Sequence, residues 1–290
     1  MAAGTEQIVI TDGQVVATSP EGATARMPLE QFLDRMVRPQ ISTGVHVLPN
    51  GVRSVVSRSD WSVFVYERAA QATQVRWISP DSEIDYGPGT VYHNYRISWP
   101  YVVLLALWGP GPTRHHKVLQ GNCEVFWRRK PIENIQSDTL DYPCLLNASK
   151  FAAPVAETKP LSWLCTQHMD RSCDGEVNET RRLRLSLRTL LDVLLGKAFN
   201  RSSERHEERS WYTEYLLRGC DKRFANPRAW EDATRENPLW TLDVPLISTG
   251  MTVAGVIDRM FRLQRAMEQR PTSCSDLARI VFNHRQRKAG

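Results

Sequence analysis

The sequence predicts an α+β chain, and three observations carry that prediction. Between residues 45 and 128 the apolar residues alternate, or run in short β-branched and aromatic blocks. Within that region the run from 101 to 108 (Tyr-Val-Val-Leu-Leu-Ala-Leu-Trp) is apolar on both faces, as a central strand covered on both sides would be. Past residue 180 the spacing turns helical, with Leu183, Leu187, Leu190, Leu191, Leu194 and Leu195 on one stripe. Strands first and helices afterwards is the order of an α+β chain.

In chain order, residues 6–18 read as a hairpin turning at Asp12-Gly13 between β-branched runs. A short amphipathic helix is expected over 27–37, with Pro28 in its first turn and Leu29, Phe32, Leu33 and Met36 at helical spacing. Residues 45–48 and 53–56 flank Pro49-Asn50-Gly51 as a second hairpin, and 61–66 and 74–78 supply two more strands. Gly87, Pro88 and Gly89 make 81–90 a loop. Strands over 92–97, 101–108 and 124–127 continue a β-meander, and Pro131 redirects the chain. Helices are expected over the leucine stripe, ending near Gly196, and over 227–235, broken by Asn237-Pro238. A last one follows Thr252 as cap, with Val253, Val256, Ile257, Met260, Phe261 and Met267 inward. The organisation this implies is a β-rich region with one short helix (1–90), a core holding a cysteine loop (91–215), and a helical extension with a basic tail (216–290).

Composition narrows the function. A chain of 290 residues can bury a large core, and no apolar run reaches membrane-span length. The start lacks a basic stretch followed by an apolar one, so a cytoplasmic chain is expected. The net charge of +5 is mild; its two basic clusters, 181–184 and 284–288, read as a solvated face and a terminus, so no nucleic-acid or membrane partner is expected. Six irregularly spaced cysteines do not form a disulfide framework, which leaves core, metal-ligand and nucleophile roles.

The chemistry concentrates in two stretches. Residues 141–149, Asp-Tyr-Pro-Cys-Leu-Leu-Asn-Ala-Ser, bring the amide of Asn147 to the end of an apolar run. Residues 160–168, Pro-Leu-Ser-Trp-Leu-Cys-Thr-Gln-His, deliver Cys165 just before a polar segment, with an aperiodic Pro- and Ala-containing loop between. A thiol and an amide on loops beside a strand-rich core are the parts needed for acyl transfer through cysteine. The order meander, Tyr142-Pro143, Asn147, loop, Cys165, helix resembles the prokaryotic relatives of the ubiquitin-conjugating enzymes over about residues 92–200. It departs from that pattern in having Leu145-Leu146 rather than His-Pro before the asparagine, and Trp163 where a glycine is common.

The resemblance implies a ubiquitin-conjugating-like (UBC-like) core, an antiparallel β-meander flanked by helices, with N-terminal β-rich and C-terminal helical extensions. It implies a conjugating component of a bacterial antiphage-defence system that takes a ubiquitin-like modifier from an adenylating activating enzyme. Cys165 would hold the modifier as a thioester and pass it to an amine of a target protein, with Asn147 donating to the oxyanion or bracing the loop backbone. No cofactor is expected. His168, three residues past Cys165, is a candidate base for a Cys-His hydrolase, and a non-catalytic binding module is the other reading. Cys165, His168 and Cys173, with Cys144, have the ligand types of a zinc site but lack paired Cys-x-x-Cys units, so no metal is expected. The 204–208 segment, Glu-Arg-His-Glu-Glu, reads as a solvated helix face rather than an acid/base cluster.

Overall fold

β-branched and aromatic residues between 52 and 128 build the main strands of the larger part of the chain. The computed structural model describes residues 7–11, 13–19, 21–36, 50–111, 116–151, 160–166, 169–195, 198–206 and 209–267. The chain divides into two compact units, 1–40 with 264–290, and 41–263.

In the first unit, β1 (Gln7–Thr11), β2 (Gln14–Thr18) and β3 (Thr24–Pro28) form an antiparallel sheet, followed by α1 (Leu29–Met36). Gly13, at φ +68°, takes the left-handed conformation that the turn between β1 and β2 needs. Val15, Ala17, Ala25, Met27 and Phe32 make a small core of their own. The expected helix start at residue 27 is corrected. Met27 and Pro28 pair with Val15 and Gln14 as the end of β3, and the helix begins at Leu29. Proline can close a strand because no ladder donor is required of it there.

The second unit is built on β4 (Val52–Arg58), β5 (Trp61–Arg68), β8 (Tyr101–Pro110) and β10 (Glu124–Arg128), antiparallel neighbours in chain order. Val102 to Trp108 are almost wholly buried, as the two-sided apolar run requires. β6 (Gln71–Ile78) and β7 (Tyr92–Trp99) pair with each other in a separate two-stranded sheet, so the single meander read from the sequence divides in two. Only Pro100, which has no N–H, links β7 to β8. The expected strand at 45–48 lies outside the described residues; 53–56 belongs to β4, whose partner is β5.

Short strands complete the sheet. β9 (Lys117–Leu119) pairs with the end of β8, and β11 (Thr139–Asp141) joins β10 to β14 (Ser248–Thr252). β12 (Ala148–Phe151) and β13 (Leu161–Leu164) form a hairpin whose second strand meets β10 at Glu124. The helices are α2 (Glu179–Leu195), α3 (Ser202–His206), α4 (Trp211–Arg218), α5 (Pro227–Glu236) and α6 (Val253–Met267). On α2, Leu183, Leu187, Leu190 and Leu194 are buried, and Leu191 and Leu195 partly so. α5 follows the expected pattern, capped by Asn226, with Pro227 in its first turn. Thr252 accepts from the Gly255 N–H at 3.1 Å at the start of α6, and Val253, Val256, Ile257, Met260 and Phe261 are buried. β5 and β8 pair across position 90 and β11 and β14 pair across position 215, so the sheet draws strands from all three expected regions. Among the described residues no helix is long and apolar enough to cross a membrane.

Candidate functional site

The β12–β13 hairpin is what brings Asn147 to Cys165. Its register pairs Ala148 with Leu164 and runs to Phe151 with Leu161. One step further along the same register stand Asn147, just before β12, and Cys165, just after β13. The Cys165 N–H donates to the Asn147 carbonyl at 3.0 Å. Directly opposed residues of an antiparallel pair share a face, and both residues line one open cleft of about 350 Å³. A separation of 18 in sequence is closed to a single rung.

The far wall comes from the segment after α2. Phe199 is tied onto β6 at both its backbone groups: its N–H donates to the Arg76 carbonyl and its carbonyl accepts from Ile78, each at 2.8 Å. Its ring stacks on Trp77 at 5.2 Å. Asp85 clamps the next residues, pairing with Arg201 at 3.3 Å and Arg205 at 2.7 Å. Those partners, Arg205 foremost, hold the Asp85 carboxyl below its ordinary range. So held, Asn200, Ser202 and Ser203 line the cleft opposite Cys165, with Tyr92, Gly87 and Pro88 at its side.

The contacts within the cleft are hydroxyl, amide and thiol. Cys165 Sγ lies 3.7 Å from Ser202 Oγ. Asn200 Oδ1 accepts from the Ser202 N–H at 3.0 Å, and its Nδ2 donates to the Tyr92 hydroxyl at 3.4 Å. Asn147 Nδ2 donates to the Val193 carbonyl at 3.5 Å, satisfying an acceptor in the last turn of α2. Its Oδ1 is buried without a partner among the described residues. The amide therefore braces the helix end with one N–H and keeps a second donor. None of the described residues lining the cleft is charged.

Burial separates Cys165 from three of the other described thiols, and Cys220, also partly buried, does not line the cleft. Cys123 and Cys144 are fully buried, which pushes the Cys123 thiol up to about 12 and raises Cys144 well above its ordinary value. Cys173 is buried with its sulfur 3.3 Å from the Ser186 hydroxyl, and Cys220 is partly buried with its thiol raised by that burial. Cys165 is half-buried and opens on the cleft.

His168 lies outside the described residues. Among the described residues no group of three or more His, Cys, Asp and Glu side chains is placed to hold a metal ion. Glu204 accepts from the hydroxyls of Ser210 and Thr213 near the start of α4, and residues 207 and 208 lie outside the described residues. Sequence reasoning singled out Asn147 and Cys165, which line the cleft, and did not single out Tyr92, Asn200, Ser202 and Ser203, which line it too. The Asn200-Arg-Ser-Ser run does carry a helix-start signal in its own right; its place opposite Cys165 depends on Phe199 pairing with β6, which no local pattern reveals. No family model, no curated protein and no solved structure matches this chain.

Proposed function

We propose that the chain is a conjugating component with a UBC-like core: Cys165 accepts the C-terminal acyl group of a ubiquitin-like modifier as a thioester and passes it to a target amine. The observation that carries this reading is the shared cleft, in which hairpin register sets the half-exposed Cys165 beside the Asn147 amide. The order of parts supports it: four antiparallel neighbours β4, β5, β8 and β10 in chain order, then Asn147, Cys165 and helix α2. Exchange of one thioester for another is nearly balanced, so the uncharged wall that the described residues present is adequate for loading. Amine attack then creates an oxyanion, for which Asn147 retains a donor.

The test is a loading assay with an adenylating activating enzyme, ATP and the modifier. A reducible adduct should form on Cys165, disappear in Cys165→Ala, and become resistant to reductant in Cys165→Ser. Asn147→Ala should load normally and slow amine transfer by roughly 100-fold. A thiol reagent applied to the native protein should reach Cys165 and leave Cys123, Cys144 and Cys173 unmodified until the chain unfolds. An accessible Cys165 that never loads would point instead to a non-catalytic docking module. An adduct on another cysteine would move the site.

A further inference from the structure

One group in the cleft wall has no structural work to do. Ser203 is 2 % exposed, lines the cleft, and its hydroxyl has no hydrogen-bond partner among the described residues. A buried hydroxyl without a partner costs stability relative to an apolar group of the same size, and of such hydroxyls among the described residues Ser203 is the one that lines the cleft. Its neighbour Ser202, equally buried, is committed to Cys165 at 3.7 Å. Asn147, across the cleft, gives one N–H to Val193 and so has only one left.

We propose that Ser203 is an oxyanion donor: its hydroxyl hydrogen-bonds the carbonyl oxygen of the acyl group while that group is being received or released by Cys165. The proposal rests on acyl transfer at Cys165 and names a second donor for it beside Asn147. In the loading step the Cys165 Sγ–C bond forms and the C–S bond to the departing thiol breaks. The proton of the Cys165 thiol ends on that released thiol. Between the two events the carbonyl oxygen carries negative charge, and Ser203 supplies a donor that is already desolvated and fixed by the anchoring of Phe199 and Asp85. The same donor serves amine attack, in which the free Asn147 N–H joins it.

A small acyl donor tests this without modifier or activating enzyme. With S-phenyl thioacetate as probe, acetylation of Cys165 is followed by mass spectrometry alongside its alkylation by iodoacetamide, which forms no oxyanion at the reacting carbon. Ser203→Ala should slow acetylation by about 100-fold, leave alkylation within about twofold of the wild type, and keep or raise the melting temperature. Ser203→Thr, which restores a hydroxyl, should recover most of the acetylation rate. Acetylation at the wild-type rate in Ser203→Ala would overturn the donor role and leave the function of Cys165 standing. Equal losses in acetylation and alkylation, or a lowered melting temperature, would mark Ser203 as a structural residue and overturn it too. If the wild-type Cys165 takes no acetyl group from the probe, the acyl-transfer reading falls, and this inference with it.

Discussion

Burial acts on the ionisable side chains of the sheet in a way that reaches solution behaviour. Glu124 opens β10 with its carboxyl fully buried and one oxygen without a partner among the described residues. Burial pushes that carboxyl from an ordinary 4.5 up to about 8, against the smaller opposing effects of the Ser162 backbone and the Arg259 charge. The folded protein therefore holds a proton there that the unfolded chain releases. The stability this group contributes is complete below about pH 4 and is lost as the pH rises towards 8, by roughly 1.4 kcal/mol per pKa unit of difference. Glu124→Gln should flatten that decline, so urea midpoints at pH 5 and pH 8 should converge in the variant and differ in the wild type. Unchanged pH dependence in Glu124→Gln would place the decline elsewhere. Asp138 works in the opposite sense and in another window: its pairing with Arg128 at 2.9 Å holds its carboxyl well below the ordinary range, so that contribution is lost only at acid pH.

Elements meet at close approaches that a single atom can close. Gly109, near the end of β8, lies against the ring of Trp61 at the start of β5, and a Cβ at that position would overlap the ring. Gly109→Ala should cost about 3 kcal/mol by forcing the indole or the strand aside. The same change made in a Trp61→Ala background should cost far less, because the overlapping ring is gone. A double-mutant cycle by urea denaturation reads the difference, and equal costs in the two backgrounds would show that the strand rather than the ring sets the limit. The β12–β13 hairpin works by the same geometric economy. Its register fixes the spacing of the Asn147 and Cys165 backbones within about an ångström, however long the connection between the strands.

At the scale of the whole molecule, the two units hold separate hydrophobic clusters. The larger cluster draws its buried residues from Trp61 to Phe261, and the smaller from Val15 to Phe32. Every described residue that lines the Cys165 cleft belongs to the larger unit. A chain of residues 41–267 should therefore unfold cooperatively and acetylate Cys165 at the rate of the full-length protein. Loss of a cooperative transition in that chain would show that residues 1–40 or 268–290 are part of the folding unit. The cluster of Trp77, Trp99, Trp127, Trp230, Phe199 and Phe224, with ring centroids 4.9 to 6.3 Å apart, supplies the near-ultraviolet signal by which packing in the truncated chain can be followed.

Local patterns specified much of this. Two-sided burial of the 101–108 run, the leucine stripe of α2 and the Asn226-Pro227 start of α5 each follow from the periodicity or capping chemistry of a few adjacent residues, and a short stretch contains that information. Asn147 and Cys165 were likewise singled out by residue type and order, and the hairpin register sets them in one cleft. What the stretch-by-stretch reading lacked was every relation set by non-local pairing. The departure of β6 and β7 into their own sheet was one such relation, and the joining of β11 to β14 was another. So was the delivery of Ser202 and Ser203 to the wall facing Cys165 by a bridge between Phe199 and β6. Periodicity tells a strand which face is apolar. Which strand lies beside it depends on the summed packing of distant segments, and only the tertiary structure decides that.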